Sequence, residues 1–564
     1  MEATLIQRKL WTIAGIYFII NVLQSFFTPL INDEAYYWVW SRHLAWGYYD
    51  HPPMVALWAR LGFELIENEL GNRLIAIAFG ALGFVILGKT LDIKNRKQLN
   101  LYAYLFFSMV LFQVFGFINT PDAPLLFFGI LYFYLLKNFL ENKTILSSVL
   151  LGIAMSLLIY SKYHGILLII FTLLPHAYKL LKSKYIYIAV FTGILCYMPH
   201  IIWQFNNDFA SLQYHLVRRN VSTSFKIGNV GDYLLSLLWA SSPLLFYHHV
   251  KAFVKSKYTS EFQKSLIYTL IGVLGFFILI TFKRYIQAQW SLVAFIPLLI
   301  ISYHYYKNNP KAIAQIKTLS IIMMVLIGIA RIYFIVQDVP IKTQYHGWKD
   351  FSIKAGEVTK GIAVFEKYQY TSLYNFYNYP EKEAHNYVTL ENRESQYNLW
   401  DSDASMEGKK ITFFSKYIIS SDSVILDGRN GLSWFYYKHL PVYHSVDHIK
   451  MNILENEIEV GGDSLSIQVV VKNEGNFSVD LSADNNFTLQ KLTATEPYAH
   501  HILKINKISY DPIKLRPQDS IKISLKVTKD IFPDHPDAVS YLSFVYDELP
   551  PQKQSNYINE NQLP

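Results

Sequence analysis

Residues 10–31 read LWTIAGIYFIINVLQSFFTPLI, twenty-two positions without one Asp, Glu, Lys or Arg. An α-helix needs about 20 apolar residues to cross the ~30 Å hydrocarbon core of a bilayer. Lipid offers the backbone no hydrogen-bond partners, so a continuous helix is the natural solution for such a run. The stretch is too long for the core of a signal peptide and lacks a small-residue cleavage site, so it reads as a retained first helix. Leu99–Asn119 and Tyr185–Phe205 repeat the pattern.

Eleven such spans follow from the apolar runs: roughly 10–31, 73–90, 99–118, 123–139, 145–161, 163–178, 185–205, 232–250, 264–282, 287–304 and 316–337. The chain is 52% hydrophobic and 17% charged, too apolar to bury its surface as a soluble protein. The net charge of +8 comes from short basic clusters between the spans, which excludes nucleic acid as the partner and names the lipid bilayer instead. One cysteine, Cys196, allows neither an intrachain disulfide nor a cysteine metal site.

Lys and Arg gather in alternate connections: Arg8 and Lys9, then Lys89 to Lys97, Lys137 and Lys143, Lys179 to Lys184, Lys251 to Lys257, and Lys307 to Lys317. The positive-inside rule places these in the cytoplasm, with the N-terminus. Eleven spans then put everything after Gln337 outside. That part is polar and rich in turns. Strand-like runs such as Gly361–Phe365 and Ser423–Leu426, mixed with helical stretches, predict a small α/β module over 341–445. Alternation in Ser464–Lys472 and Ser520–Val527 predicts a β-sandwich over 446–550, and 551–564 reads as a disordered tail. The membrane part is 1–340.

The loops on the outer side carry the chemistry. Asn32-Asp33-Glu34-Ala35-Tyr36-Tyr37-Trp38 leads through Tyr49-Asp50-His51-Pro52-Pro53. Short amphipathic helices between Glu34 and Leu44 and between Met54 and Glu67 are expected to lie along the membrane interface, where Trp and Tyr are favoured. A carboxylate at Asp33 or Glu34, set just outside the membrane among aromatics, is a candidate general base for an attacking hydroxyl or amine. Asn32 or Asp33 serves equally well as a helix cap, and one residue can do both. Pro52 and Pro53 fix an extended turn that would aim Asp50 and His51. Asp122, in Asn119-Thr120-Pro121-Asp122-Ala123-Pro124, is either a further acid or a cap. Lys162, Arg218, Arg219, Lys283 and Arg284 stand on the side where basic residues are disfavoured. Singly they read as snorkelling side chains; together they suit an anionic ligand such as a lipid phosphate. No P-loop and no dinucleotide fingerprint appears, which speaks against a nucleotide-sugar donor.

Asp33-Glu34-Ala35-Tyr36-Tyr37, Tyr49-Asp50-His51-Pro52-Pro53 and Thr120-Pro121-Asp122-Ala123-Pro124 resemble three signature stretches of the bacterial dolichyl-phosphate-mannose-protein mannosyltransferase-like proteins, members of the GT-C glycosyltransferases. The aminoarabinose transferase that modifies lipid A is a relative. Ser161-Lys162-Tyr163, the run from Trp203 to Arg219, Gln289-Trp290 and Gly347-Trp348 are similar too, so the likeness covers roughly residues 10–400. It implies a membrane all-α GT-C fold and an inverting transfer from a polyprenyl-phosphate-linked sugar to an extracytoplasmic acceptor: a protein, lipid A or another glycolipid, or a polysaccharide. It implies Asp33 as catalytic base, with Glu34, Asp50 and Asp122 as acidic members of the site. Lys162, Arg218, Arg219, Lys283, Arg284 and His51 would meet the donor phosphate. Some relatives have Glu-Lys where this chain has Asp50-His51, so His51 stands in for a lysine. No cofactor is certain; the divalent metal ion some relatives bind would here take Asp50 and His215. The expected location is the bacterial inner membrane. A polyprenyl-linked sugar flippase or a non-catalytic scaffold are the competing classes. A flippase would carry charges inside its spans, and a scaffold would not need acids and bases gathered at one face.

Overall fold

The computed structural model describes residues 2–216, 227–462, 464–495, 502–529 and 538–558. The chain divides into two compact units, Met1–His346 and Gly347–Pro564.

The first unit is helical. Its helices are α1 (Glu2–Phe27), α2 (Asn32–Arg42), α3 (Met54–Phe63), α4 (Glu69–Thr90), α5 (Arg96–Ser108), α6 (Val110–Val114), α7 (Asp122–Glu141), α8 (Ile145–Ser161), α9 (Gly165–Leu173), α10 (Ala177–Leu181), α11 (Lys184–Asn206), α12 (Ala210–Leu216), α13 (Gly228–Ser241), α14 (Phe246–Lys255), α15 (Glu261–Thr281), α16 (Leu292–Tyr306) and α17 (Pro310–Ile335). Among the described residues, seven helices are long and apolar enough to cross a membrane. All eleven predicted spans fall on helix, but four are shorter or broken: 99–118 divides into α5 and α6, 163–178 into α9 and α10, and 232–250 into α13 and α14, while 145–161 is the 17-residue α8.

The exposed surface shows which solvent the bundle was built for. On α1 the buried stripe Leu10, Ala14, Tyr17, Asn21, Gln24 includes polar side chains. The outward face carries Trp11, Ile16, Ile19, Ile20, Leu23, Phe26 and Phe27. On α17 Ile321, Ile322, Val325, Leu326, Ile329 and Ile332 are likewise exposed. An apolar exterior over a partly polar interior fits lipid, not water. This is a multi-pass membrane protein.

Small residues let the helices close up. Gly152 on α8 faces α11 so tightly that a Cβ there would lie 2.3 Å from the carbonyl oxygen of Ala189. Gly152→Ala is therefore expected to cost about 1–3 kcal/mol, the usual range for overpacking. Gly15→Ala, with nothing within 4 Å of its would-be Cβ, is the matched control. Thermal unfolding in detergent should separate the two; equal midpoints would show that α8 and α11 can part without loss.

The second unit begins with a five-stranded sheet in the order β2-β1-β3-β5-β4, from β1 (Ile362–Phe365), β2 (Ala384–Asn386), β3 (Ile411–Ser415), β4 (Ser423–Gly428) and β5 (Gly431–Leu440). β1 pairs parallel with both β2 and β3, while β3–β5 and β4–β5 are antiparallel. Period-two alternation gives the sheet two apolar faces. Ala363, Phe365 and Phe414 pack under α18 (Trp348–Val358) and α19 (Tyr368–Tyr377). Val364, Ile411 and Phe413 join the core of the β region that follows.

In that region β8 (Ser464–Asn473) lies between β13 (Ser520–Thr528) and β6 (Ile449–Ile453). A second sheet sets β10 (Phe487–Ala494) between β11 (Ile502–Ile508) and β14 (Val539–Tyr546), while β7 (Glu459–Gly461) pairs with β8 and β9 (Val479–Leu481) with β12 (Ile513–Leu515). Leu465, Ile467, Val469 and Val471 of β8 share one core with Leu489, Leu542 and Phe544 of the other sheet, a two-layer β arrangement.

The stretch expected to be a disordered tail is ordered from 551 to 558. It runs along the free edges of both sheets. Met451 N–H of β6 donates to the Gln554 carbonyl (2.8 Å), and Leu542 N–H of β14 donates to Ser555 Oγ (2.8 Å). Ser540 and Ile558 exchange backbone hydrogen bonds at 2.8 and 3.1 Å. Gln552 Nε2 reaches the fully buried carboxyl of Asp403 (2.9 Å), which also accepts from Tyr443 and Ser445. The residues here, PQKQSNYI, show no strand-like alternation. The physical reason for order is that two sheet edges supply the backbone partners.

Candidate functional site

Two adjacent carboxylates open α2, and the fold treats them oppositely. Glu34 is completely buried. Arg73, on α4, grips it at both oxygens: Nε to Oε1 at 2.7 Å and Nη2 to Oε2 at 2.6 Å. Glu34 Oε1 also accepts the Asn119 N–H (2.9 Å) and Oε2 the Ile31 N–H (3.3 Å). Arg73 spends its remaining donors on the carbonyls of Ser25, Thr28 and Pro29. The pair thus ties the end of α1, the start of α2, α4 and the 119 turn into one knot. Both Glu34 oxygens are committed, which removes Glu34 from the acids open to an acceptor. Asp33, one residue earlier, is exposed.

Neither expected cap is one. Ile31 is the N-cap of α2; its aliphatic side chain accepts nothing, and the end is served by Glu34 accepting the Ile31 N–H. Asp122 is the first residue of α7, behind Pro121, and its carboxylate turns to Lys162 instead. Lys162 Nζ lies 2.8 and 2.9 Å from the two Asp122 oxygens, with both side chains buried. Sequence reasoning put these two in separate roles, an acid and a phosphate cation; the structure makes them one buried ion pair. The helix α2 also departs from expectation: Glu34 to Ser41 are all buried, so it is packed inside the unit and does not lie half-exposed.

The three motif stretches meet at Asn119. Its N–H binds Glu34 of the first, and its Nδ2 is 3.4 Å from the Val55 carbonyl, just past the Pro-Pro pair. Asp122 lies three residues further on. The Tyr48–Pro53 turn is closed by Tyr48 N–H donating to the His51 carbonyl (3.2 Å). Tyr48 stacks on Trp40 (4.5 Å, 13°) and its hydroxyl donates to the carbonyl oxygens of Trp40 and His43. Gly47 is needed where the turn passes α11, since a Cβ there would sit 2.3 Å from the Trp203 ring.

His215, at the end of α12, closes the other side. Its Nε2 lies 2.7 Å from the Asp50 backbone oxygen, and its ring lies near His51 (5.9 Å) and Tyr163 (5.6 Å). This contact uses the main chain of Asp50, so the pair expected to hold a metal meets as a hydrogen bond to backbone. Among the described residues no three His, Cys, Asp or Glu gather as a metal site. Sequence reasoning missed His200, which is buried beneath the turn. It bonds the Trp46 carbonyl through Nδ1 (2.6 Å) and the Tyr163 hydroxyl through Nε2 (3.1 Å). Its position in a charge-free span hid it.

Arg284 covers the Trp290 ring (5.3 Å), and Trp290 meets His164 (5.3 Å), two residues past Lys162. That stack joins the 283–290 loop to the 161–165 turn. Lys283 is exposed. Arg218 and Arg219 lie outside the described residues.

A membrane helical unit followed by a β-rich domain is the arrangement of the GT-C fold. Comparison with known proteins agrees. Residues 50–203 match the family model described as dolichyl-phosphate-mannose-protein mannosyltransferase. The lipid A galacturonosyltransferase RgtD of Rhizobium johnstonii is 22% identical over 334 residues, 54% of this chain and 67% of that one. Among solved structures, ArnT from Cupriavidus metallidurans bound to undecaprenyl phosphate superposes with a TM-score of 0.56 at 11% identity, covering 76% of this chain and 97% of that one. Its apo form gives 0.57 at 12% identity over the same shares. At this identity the structural likeness establishes the fold, and the chain takes its place among proteins of GT-C architecture.

Proposed function

We propose that this chain is a glycosyltransferase of the bacterial inner membrane that moves a sugar from a polyprenyl phosphate to an acceptor outside the cytoplasm. The observation that carries the reading is the contrast between Asp33 and Glu34: one carboxylate is exposed, its neighbour buried and immobilised by Arg73. Two acids given different environments take different tasks. Glu34 fixes the helix start, and the exposed Asp33 is assigned the proton.

The reaction is a single inverting displacement. Asp33 takes the proton of the acceptor hydroxyl or amine as its oxygen or nitrogen bonds to the anomeric carbon. The carbon–oxygen bond to phosphate breaks on the opposite face, and polyprenyl phosphate leaves with the electron pair. Charge on the leaving phosphate is met by Lys283 and Arg284, and Arg218 and Arg219, which lie outside the described residues, are assigned to the same task. Lys162 is half-spent on Asp122, so it contributes as an ion pair and not as a bare cation. Asp50, His51 and His215 line the second motif and orient the substrates. The likeness to a protein solved with undecaprenyl phosphate supports a polyprenyl donor. The lipid A-modifying relative makes a glycolipid a fitting acceptor. The positive-inside pattern supports a cytoplasmic N-terminus and an external second unit.

The test is direct. Purified protein is given a polyprenyl-phosphate sugar labelled in both the sugar and the lipid. Release of free polyprenyl phosphate, with the label passing to lipid A or another envelope acceptor, is the expected result. Movement of the intact lipid-linked sugar across the bilayer without cleavage would make the chain a flippase and end the proposal.

A further inference from the structure

The carboxyl edge of the parallel strands in the second unit takes no part in the transfer reaction. β1 and β3 run side by side in the same direction. The chain leaves β1 toward α19 and β2 on one flank, and leaves β3 toward β4 on the other. Where connections from neighbouring parallel strands diverge in this way, an open sheet has a crevice at its carboxyl end, the usual seat of a ligand.

The residues at that crevice suit an anion attached to a ring. Lys367 follows β1 and Lys416 follows β3, and both are exposed. Their ammonium groups lie over the same ring, Tyr370 of α19, at 6.0 and 5.7 Å from its centroid; Lys416 is also 5.2 Å from Phe435. Trp348 stacks on Tyr370 (4.9 Å, 26°), which makes a flat aromatic wall. From the loop after β2, Glu391 accepts the Tyr417 hydroxyl (2.5 Å), and Arg393 covers Tyr368 (4.4 Å).

Glu366, between the strands, is buried and accepts from Ser415 Oγ (3.0 Å). Burial pushes its carboxyl up to about 7, with Glu391 adding to the rise and Ser415 and Lys367 opposing it. Near neutral pH two adjacent lysines therefore face a carboxyl that carries only part of a charge. We propose that this edge binds a saccharide carrying an acidic substituent, carboxylate or phosphate, with Lys367 and Lys416 on the anion and the Tyr370 face against the sugar ring. The inference is independent of transfer: a chain that bound the acidic sugar but transferred nothing would keep it.

Calorimetry on the full-length protein in detergent tests it, with glucuronic acid, glucose 6-phosphate, glucose and inorganic phosphate as probes. Both acidic sugars should bind about tenfold tighter than glucose, the worth of one charge-assisted hydrogen bond. Inorganic phosphate should be weaker than glucose 6-phosphate. Lys416→Ala and Lys367→Ala should each cost about tenfold. Glucuronic acid is ionised at about pH 6 and about pH 8 alike, so its weaker binding at the higher pH would report Glu366 gaining charge. Glu366→Gln should remove that difference. Glucose binding as well as glucuronic acid, phosphate matching glucose 6-phosphate, or affinity unmoved in the double lysine variant would each overturn the proposal.

Discussion

Asp33→Asn is expected to leave a folded, membrane-inserted protein that no longer transfers sugar. Losing a positioned general base typically lowers a rate by ~10²–10⁴-fold. Stability should hardly change, because Asp33 is exposed and substitution at exposed sites away from special features is worth about ±0.5 kcal/mol. The measurement is turnover of labelled donor beside a melting curve of the same preparation. A variant that melts like the parent and turns over within a few-fold of it would show that Asp33 is not the base. The neighbour sets the contrast: Glu34→Gln should also slow transfer, but through a lowered melting point, since it disturbs the Arg73 knot and not the proton acceptor.

The second large effect belongs to Arg73. Removing one partner of a buried ion pair leaves the other charge uncompensated, at a cost of about 3–5 kcal/mol. Arg73→Met should therefore fail to accumulate as a monodisperse species in detergent, or melt far below the parent. Four carbonyl and carboxylate partners lose their donor at once: Ser25, Thr28 and Pro29 as well as Glu34. Adding Glu34→Gln to Arg73→Met takes the stranded charge away and should recover a good part of the loss, a coupling that a double-mutant cycle reads out. If Arg73→Met melted with the parent, the knot would not be what holds α2 in place, and the assignment of Asp33 would lose its support.

How far these arguments were legible in the sequence depends on the residue. Charge-free runs such as 10–31 and 185–205 announced helices, because nothing but a helix satisfies a backbone in lipid. The break between α5 and α6 was invisible: Ser108–Val114 has neither Pro nor Gly. Side chains around the break take the carbonyls it releases at the end of α5: Gln113 Nε2 donates to Phe106 O (3.1 Å) and Ser108 Oγ to Leu105 O (3.1 Å). The break between α13 and α14, by contrast, is written as Ser241-Ser242-Pro243. At the site, the motif stretches were readable as chemistry but their pairing was not. Asp33-Glu34 is a pair of acids until Arg73, thirty-nine residues on, selects one of them. Asp122 and Lys162 likewise were an acid and a base whose meeting across α7 and α8 no local pattern records.

Residues 551–558 bear on how the second unit is made. Until they arrive, β6 and β14 offer bare edges, and unpaired edges invite association with other chains. Asp403, placed some 150 residues earlier, meanwhile waits for the amide of Gln552. The unit is therefore fastened at the point where both layers stand open, and its hazardous interval lasts as long as that segment takes to settle. Docking of this segment, more than formation of the individual strands, sets when the second unit becomes safe from neighbouring chains.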